Sequence, residues 1–271
     1  MGVINTKHKN LKLRQNEFLS ANPFPYLVID DFLEKDFFSN LKLVIEENTK
    51  SVEGRTFDTV VEKKKWISLN SSLPEKLKQV VDALNSEQWI NNIRELTGIE
   101  SLVATPHGNT ELANYHVMEP GAVLGSHVDH SHEPVLGIPH ILNALVYLTD
   151  NWSACDGGAT FLYDKAGKEI ISKVEYKENR AVIFLHTPYS FHGVERIESN
   201  SNKKRRTIYV DYYSESFQPY DKIKLNFSSR WFKHGTTFKL NSCADYFKIN
   251  NHHYTKAFLQ YHLNRCRAKF N

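Results

Sequence analysis

The spacing of the hydrophobic residues changes about 110 residues into the chain. Before that point they recur every three or four residues, which is the period of an amphipathic helix. Three such helices are predicted, around residues 37–45, 77–84 and 89–96. The sequence Ser72-Leu73-Pro74-Glu75 matches a capping box with proline in the first turn, and it predicts the start of the second helix. Gly98 predicts the end of the third helix.

From about Leu112 the apolar residues come in short runs that are rich in Val, Ile, Tyr and Phe and are separated by turn-forming residues. This pattern is typical of short β-strands. Eight strands are predicted, at 112–118, 123–128, 141–149, 159–163, 169–175, 181–185, 191–196 and 205–213. They favour a double-sheet jelly roll, or double-stranded β-helix, of the cupin type. The predicted fold class is therefore α+β, mainly β, with the N-terminal helices packed on one sheet.

These patterns predict one domain with an extension at each end, which is consistent with a length of 271 residues. Residues 1–22 are basic and polar and are expected to form an N-terminal arm or a first short helix. Residues 23–213 form the domain, with helices at 33–98 and the jelly roll at 110–213. Residues 214–271 are a C-terminal extension that is expected to pack on the same domain, with an amphipathic helix near its end.

The composition says more about the partners and the cellular location of the protein than about its function. The formal charge of +3 is small and the basic residues are spread out, which argues against a nucleic-acid partner. No apolar run approaches the ~20 residues that span a bilayer, so no membrane partner is expected. Three distant cysteines form neither a disulfide framework nor a Cys-x-x-Cys site. They favour a reducing, cytoplasmic location. The oligomeric state is left open.

Two histidines and one aspartate carry the candidate chemistry. His127 and Asp129 stand in the sequence Gly-Ser-His-Val-Asp-His, and His192 follows in Ser-Phe-His-Gly-Val. Residues i and i+2 of a strand point to the same side, so the first two side chains can face one ion, and His192 must come from another strand. Two imidazoles and one carboxylate are the facial triad of mononuclear non-heme Fe(II) oxygenases. We therefore predict that these three residues bind the metal and are catalytic.

Five ordered signals extend this pattern. They are Glu119-Pro120-Gly121 before His127-Val128-Asp129, the run Leu145-Val146-Tyr147-Leu148-Thr149-Asp150, the Gly157-Gly158 strand start, Ala181-Val182-Ile183-Phe184 before His192, and Arg205-Arg206-Thr207-Ile208-Tyr209-Val210. With them, residues 23–213 resemble the 2-oxoglutarate/Fe(II)-dependent dioxygenases of the prolyl-4-hydroxylase-like branch. The resemblance implies Fe(II) as cofactor and 2-oxoglutarate and O2 as co-substrates, with ascorbate as a possible reductant.

The resemblance also implies an arginine on the last strand that binds the distal carboxylate of 2-oxoglutarate. Arginine offers a planar bidentate fork for such a group. On a strand, Arg205 and Thr207 share one face, which suits the inside of the barrel mouth, so Arg205 is predicted and Arg206 is the alternative. The resemblance adds a hydroxyl from Tyr147, and Asn143 could contact the co-substrate or the substrate. The family often has a tyrosine where Met118 stands.

Three further histidines, His130, His132 and His140, stand close together in a predicted loop. They could form a second metal site, but a solvated or substrate-facing lid is the favoured interpretation, because no partner strand with a further ligand is evident. His186 is predicted to be a structural residue at a strand end, and Trp152 a packing residue.

The expected function is hydroxylation of an unactivated C–H bond. Asp129 favours hydroxylation over halogenation, since related halogenases lack this carboxylate. An amino acid or a peptidyl residue is the expected substrate, and a small metabolite or natural-product intermediate is the alternative. A non-catalytic jelly-roll binding module and a cupin enzyme that does not use 2-oxoglutarate are the remaining hypotheses.

Overall fold

The computed structural model describes residues 2–47, 53–58, 61–68, 72–105, 113–130, 132–133, 138–198, 200, 202–214 and 216, and the backbone of 230–231. The α-helices in this part of the chain are α1 (Gln15–Ser20), α2 (Lys35–Glu47), α3 (Glu75–Leu84) and α4 (Glu87–Thr97). The strands are β1 (Tyr26–Ile29), β2 (Gly54–Phe57), β3 (Glu62–Ser68), β4 (Ala113–Val128), β5 (His140–Tyr147), β6 (Thr160–Tyr163), β7 (Ile170–Val174), β8 (Ala181–Leu185), β9 (His192–Val194), β10 (Arg205–Tyr213) and β11 (Arg230–Trp231).

The three predicted helices are present as α2, α3 and α4. Ser86 caps α4, since its hydroxyl accepts a hydrogen bond from the Trp89 amide. Gly98 ends α4 with a φ of +74°, which glycine adopts without a steric penalty. The predicted capping box before α3 is wrong. Pro74 is the N-cap residue and makes no side-chain cap, because the Ser72 hydroxyl is hydrogen-bonded to the backbone of Glu53 instead.

The N-terminal segment, predicted as an arm or a short helix, forms two 3-10 turns followed by α1. It is docked against the domain, because Leu11 and Phe18 are buried in the core. The Leu11 amide also donates a hydrogen bond to Asn92 Oδ1 of α4 at 2.9 Å. Burial of these two apolar side chains explains why a segment that reads as basic and polar is ordered.

A hairpin interrupts the region 33–98, for which only helices were predicted. Strands β2 and β3 pair antiparallel, and β3 also pairs with β4. The sequence of β3, Glu-Lys-Lys-Lys-Trp-Ile-Ser, is too polar to show the alternation that predicts a strand. Its register with β4 therefore comes from tertiary pairing rather than from its own pattern.

The strands form a nearly closed jelly roll in which β4 belongs to both halves. The hydrogen-bonded order is β1-β8-β5-β10-β4-β9-β6-β7. The sequence predicts two strands, at 112–118 and 123–128, but β4 runs continuously for 16 residues. Its first part pairs with β10 and its last part pairs with β9, and Gly121 between them has a φ of +82°. The bent strand thereby brings β9 and β10 to the same opening.

The two faces of β5 separate the helical core from the barrel interior. Leu142, Ala144 and Val146 pack with the helices in the largest apolar cluster. Leu145 and Tyr147 pack with Phe184 and Leu162 inside the barrel. All eight residues of β5 are buried. The helices therefore cover the outer face of one sheet, as predicted, and the inner face is left for the site.

Little of the C-terminal extension lies within the described residues. The backbone of β11 pairs with Val128 and His127 of β4, and the predicted amphipathic helix near the end lies outside the described part. Cys155 is exposed with a free thiol, whereas Cys243 and Cys266 fall outside it. Among the described helices, none has the length and apolar character that a bilayer span requires.

Candidate metal centre and co-substrate pocket

His127, Asp129 and His192 meet at the opening of the barrel. His127 and His192 are direct cross-strand partners in the antiparallel pairing of β4 with β9. The His127 Nε2 atom lies 3.4 Å from Asp129 Oδ1, and the His192 Nε2 atom lies 3.3 Å from Asp129 Oδ2. All three residues are buried, and their ligand atoms form a group that could hold a metal ion.

The chemistry of this donor set fits a divalent metal. His127 Nδ1 is 2.7 Å from the Gly125 carbonyl oxygen, and His192 Nδ1 is 3.1 Å from that of Ser190. A carbonyl oxygen only accepts, so each Nδ1 carries the proton and each neutral ring turns the lone pair of Nε2 towards Asp129. Ligating histidines have this arrangement, in which a second-shell acceptor fixes the tautomer.

The electrostatics of His127 and Asp129 favour the protonation states that metal binding needs. Burial lowers the pKa of His127, and the neighbouring His192 lowers it further. Burial would raise the pKa of Asp129, but His192 and His127 hold it well below its usual range. A neutral imidazole and an ionised carboxylate are the forms that coordinate metal ions.

Two further side chains orient the Asp129 carboxylate. Asn143 Nδ2 donates to Asp129 Oδ2 at 2.8 Å, and the Tyr209 hydroxyl donates to the same oxygen at 3.1 Å. Asn143 was predicted to contact the co-substrate or the substrate, and the structure places it against Asp129 instead. Tyr209 was not among the predicted site residues, although it alternates with Arg205 and Thr207 along β10. That alternation is the signal that could have identified it.

Arg205 lies inside the barrel in a polar environment. Its Nε donates to the Gly158 carbonyl at 2.8 Å, and its two terminal nitrogens lie 3.0 Å from Thr207 Oγ1 and 3.2 Å from Thr160 Oγ1. The side chain is 4% exposed. The guanidinium carbon also lies 5.0 Å from the centroid of the Tyr147 ring. Arg205 is therefore a positioned cation in a desolvated setting.

Arg206 occupies the opposite face of β10. The next residues on that face, Ile208 and Val210, belong to the helix-facing core. Arg205, Thr207, Tyr209 and Asp211 instead line one cavity together. The structure thus brings Arg205, and not Arg206, to the same space as the His-Asp-His group.

Tyr147 is linked to Arg205 by Thr160, a residue that the sequence analysis missed. The Tyr147 hydroxyl lies 2.6 Å from Thr160 Oγ1, which also accepts from Arg205. Thr160 is the first residue of β6, and only the pairing of β6 with β9 brings it to this cavity. Nothing in its local sequence distinguishes it from other strand threonines.

A cavity of about 220 Å³ joins the candidate metal ligands to Arg205. Its wall also includes Met118, which stands where the family often has a tyrosine, and two residues that sequence analysis missed, His116 and Lys65. The His116 ring stacks on the Tyr209 ring with 5.4 Å between centroids. Lys65 forms an ion pair of 2.7 Å with Glu62. Because β3 itself was not predicted, no sequence signal pointed to Lys65.

The histidines after Asp129 differ from their predicted arrangement. The lid interpretation is wrong for His140, which begins β5 and is 1% exposed. His140 Nε2 lies 3.1 Å from Asp211 Oδ1, and His130 Nε2 lies 3.6 Å from Asp211 Oδ2. Asp211 belongs to β10, so the partner strand that the sequence did not reveal is present. Although burial lowers the pKa of His140, Asp211 raises it to about 9.

His186 and Trp152 lie in structural positions. His186 is buried and its ring nitrogens face the backbone oxygens of His140 and Asp129. The Trp152 indole donates to the Gly157 carbonyl at 2.8 Å and packs against the Tyr176 ring. Both therefore support neighbouring parts of the barrel opening, as the sequence predicted.

Comparisons with known proteins agree with this geometry. Residues 111–213 match the family model of the 2OG-Fe(II) oxygenase superfamily. The fold is similar to that of a Trichoplax adhaerens prolyl hydroxylase solved with a peptide fragment of the hypoxia inducible factor oxygen degradation domain. That match has 16% identity and a TM-score of 0.56, and it covers 78% of this chain and 95% of that one. No curated protein sequence matches this chain significantly.

Two other solved structures share the fold. A prolyl-4-hydroxylase from Pseudomonas putida is 17% identical, with a TM-score of 0.55 over 75% of this chain and 98% of that one. The non-heme alpha-ketoglutarate-dependent epimerase SnoN from nogalamycin biosynthesis is 10% identical, with a TM-score of 0.52 over 75% of this chain and 83% of that one.

The described chain has a jelly-roll domain, and residues 111–213 of it match the 2OG-Fe(II) oxygenase superfamily. Its fold is of the prolyl-4-hydroxylase-like type. The protein is thus a 2-oxoglutarate- and Fe(II)-dependent dioxygenase, with Fe(II) as its cofactor and 2-oxoglutarate and O2 as its co-substrates.

Proposed function

We propose that His127, Asp129 and His192 hold Fe(II), that Arg205 binds 2-oxoglutarate, and that the enzyme hydroxylates a C–H bond of an amino acid or peptidyl residue. The observation that carries the proposal is that the three donor groups and the buried Arg205 guanidinium line one cavity. A 2-oxo acid has a chelating end and a distant carboxylate, so a metal group and a cation on one cavity match its two ends.

The protein's part in the reaction is to orient the reactants and exclude water. The Nδ1–H groups of His127 and His192 donate to backbone carbonyls, and this holds both rings with Nε2 facing the Asp129 carboxylate. Asn143 and Tyr209 hold the Asp129 carboxylate. When bound, Fe(II) with 2-oxoglutarate supplies the activation of O2 that allows oxygen insertion into an unactivated C–H bond. Asp129 would occupy a coordination position that is otherwise open to halide, which favours hydroxylation.

Arg205 is placed to neutralise the distal carboxylate of 2-oxoglutarate. Thr207 and Thr160 hold its terminal nitrogens, and Gly158 holds Nε. Tyr147 supports this end through Thr160, so its hydroxyl could turn towards a bound carboxylate. Thr207, whose Oγ1 already accepts from Arg205, could contribute its own hydroxyl to the same group.

The cavity size supports a substrate group no larger than a side chain. At about 220 Å³, the cavity lies below the ~300–1,000 Å³ that is typical of sites for drug-sized ligands. It has to hold the co-substrate and the reacting carbon together, so the rest of a larger substrate would remain outside. The two structural neighbours that are prolyl hydroxylases give a peptidyl residue as the first choice.

A small metabolite or natural-product intermediate is the second candidate. The epimerase from nogalamycin biosynthesis shares the fold, and the Lys65–Glu62 ion pair beside the cavity offers charges of both signs to a compact polar ligand. A free small molecule would need such contacts, whereas a peptide would be held mainly outside the cavity.

Mass spectrometry tests the proposal. The enzyme is incubated with Fe(II), ascorbate and 2-oxoglutarate together with peptides, free amino acids or small metabolites. We expect succinate and a product heavier by one oxygen atom, and the class of molecule that gains oxygen separates the two candidates. The control is Asp129→Ala, which should form neither product, and Asp129→Glu should retain little activity, since a displacement of about 1 Å can cost ~100-fold. Equal turnover by Asp129→Ala would contradict the proposed role of Asp129.

We also propose a reducing, cytoplasmic location. Cys155 is an exposed free thiol, and such thiols persist where glutathione and thioredoxin keep cysteines reduced. Quantifying the reduced thiol of Cys155 in protein isolated from cells under acid quench tests this, and a mixed disulfide at Cys155 would contradict it.

A further inference from the structure

A second group of metal-binding side chains lies beside the first and is not needed for it. Its members are His130, two residues after the end of β4, His140, at the start of β5, and Asp211, on β10. Their ligand atoms all lie within 4.8 Å of one another. Two histidines and one aspartate thus occur twice at the barrel opening, on separate sets of residues.

Two buried atoms in this group lack the partner that burial demands. Within the part of the chain that the structure describes, neither His140 Nε2 nor Asp211 Oδ1 has a hydrogen bond. His140 is 1% exposed and Asp211 is fully buried. Burying a polar atom without a hydrogen bond is unfavourable. The two atoms face each other at 3.1 Å, so whatever satisfies one also satisfies the other.

The tautomer of His140 determines what can lie between these atoms. His140 Nδ1 is 2.9 Å from the His130 carbonyl oxygen, so Nδ1 carries the proton and a neutral ring turns the lone pair of Nε2 towards the carboxylate. In that neutral form two lone pairs would face each other, and a cation between them, either a proton or a metal ion, removes the repulsion. Donation of Nδ1–H to a carbonyl is also the usual second-shell contact of a histidine that binds a metal.

The distances suit a small divalent ion. Ligand atoms that lie ~2.0–2.1 Å from a tetrahedral ion are about 3.3 Å from one another. The observed separations from Asp211 are 3.1 Å to His140 and 3.6 Å to His130. The Tyr213 hydroxyl donates to Asp211 Oδ2 at 3.2 Å, which fixes the carboxylate as second-shell groups do.

The surroundings of the cluster are negatively charged. The carboxylates of Asp129 and Glu133 interact electrostatically with His130, in addition to that of Asp211. Glu133 is fully buried. A dication at this position would therefore be attracted by three carboxylates. A proton on His140 would bridge only His140 and Asp211, whereas a metal ion would also bind His130.

We propose that His130, His140 and Asp211 form a second metal site that takes a zinc-like divalent transition metal ion. Imidazole nitrogens with one carboxylate oxygen form a common ligand set for zinc, and three protein ligands leave one position open. The ion ties the end of β4 to β5 and β10. Since His130 follows Asp129 directly, and His186 faces the Asp129 backbone oxygen, the second ion would hold in place the chain segment that carries Asp129.

Metal stoichiometry tests this site without depending on activity. Chelator-treated full-length protein is dialysed against Zn(II), and the bound metal is counted by inductively coupled plasma mass spectrometry. We expect two equivalents in the wild type, one in His192→Ala, and one in Asp211→Asn. The matched control is His8→Gln, which lies outside both clusters and should keep two equivalents.

A second variant and a spectroscopic probe cover the case in which Asp211→Asn does not fold. His130→Gln changes a half-buried side chain and should also bind one equivalent. In His192→Ala, Co(II) should give the intense visible absorption of a four-coordinate site. One equivalent in the wild type, as expected for a proton-bridged His140–Asp211 pair, overturns the proposal. So do two equivalents in folded His130→Gln or no intense Co(II) band in His192→Ala.

Discussion

At the scale of single residues, the proposed co-substrate pocket depends on one buried cation, Arg205, whose position follows from strand alternation. Arg205 and Arg206 are neighbours in sequence, yet they face opposite sides of β10, because successive side chains of a strand alternate. Arg205 shares its face with Thr207, Tyr209 and Asp211, all of which line the cavity. A shift of one residue in the pairing of β10 would exchange the two arginines.

Substitution of the two arginines distinguishes their roles. Arg205→Ala should raise the 2-oxoglutarate concentration needed for half-maximal turnover about 30- to 5,000-fold, since removing one partner of a buried charge pair costs ~2–5 kcal/mol. Fe(II) binding should persist, because Arg205 is not one of the donor groups. Arg206→Ala should have a much smaller effect. Titration of both variants with 2-oxoglutarate checks this. A large loss in Arg206→Ala alone would reverse the assignment, and no loss in either would refute a role for this strand.

The sequence sufficed to place the residues whose positions depend on local spacing. His127 and Asp129 stand two apart on a strand, and Arg205 follows from the same alternation. It did not suffice for Thr160, Lys65 or the pairing of Asp211 with His140. Those contacts depend on which strand lies next to which and in what register, and that is a tertiary property. The structure supplies it through the pairing of β6 with β9, of β3 with β4 and of β10 with β5.

At the scale of secondary-structure elements, the approach of β4 to β9 brings the two histidines together. Gly193 lies at this contact, directly after His192. A Cβ atom there would come within 2.7 Å of the Leu124 carbonyl oxygen and 3.0 Å of that of Gly125. Both are backbone atoms and cannot rotate away. The absence of a side chain at Gly193 therefore allows His192 to reach His127.

We expect Gly193→Ala to separate β9 from β4 and displace His192. Turnover should fall roughly 100-fold, as is typical of a misplacement of about 1 Å, and Fe(II) affinity should fall with it. Gly2→Ala is the matched control, because a Cβ atom there meets no atom nearer than 3.7 Å. Calorimetric Fe(II) titration of both variants checks the prediction. Unchanged affinity in Gly193→Ala would show that this close contact does not position His192.

An ion-pair cluster joins the end of β1 to the start of β8. Asp30 accepts from Arg180 Nε at 2.6 Å and from Lys177 Nζ at 2.9 Å. Chiefly through the hydrogen bond from Arg180, the pKa of Asp30 falls from 3.8 to about 2. A lowered carboxyl pKa stabilises the fold above pH 3.8, and this contribution disappears as the pH falls towards 2.

Arg180→Ala should therefore destabilise the protein at neutral pH and have less effect in acid. Because Asp30 is partly exposed, we expect a loss of about 1 kcal/mol or less in the free energy of unfolding. The difference from the wild type should narrow below pH 3.8. Urea unfolding from pH 7 to pH 3 measures it, with Lys177→Ala as a milder comparison. A difference that stays constant with pH would mean that Arg180 acts mainly through its bond to the Glu175 carbonyl.

Helices and strands whose apolar residues recur with a clear period could be predicted from the sequence, whereas the polar hairpin of β2 and β3 could not. Helices α2, α3 and α4 and the strands from β4 to β10 follow the pattern of apolar residues. The hairpin of β2 and β3 does not, because three consecutive lysines mask the alternation of β3. The cap before α3 also failed, since Ser72 is hydrogen-bonded to Glu53, a contact across the chain that local sequence does not contain.

At the scale of the whole molecule, helices cover one sheet from outside and leave its inner face for chemistry. The long strand β4 belongs to both halves of the jelly roll. The candidate metal ligands at its end and Arg205, which pairs with Met118 earlier on the same strand, therefore line one cavity. The jelly-roll class could be predicted from the sequence, whereas the continuity of β4 could not.

A crystal structure of the anaerobic complex with Fe(II) and 2-oxoglutarate tests the central claim most directly. Anomalous scattering at the iron edge locates the metal independently of its ligands. We predict iron bound by His127 Nε2, the Asp129 carboxylate and His192 Nε2, with the distal carboxylate of 2-oxoglutarate on Arg205. Iron bound by other residues, or 2-oxoglutarate held by Arg206 or outside the cavity, would contradict the account.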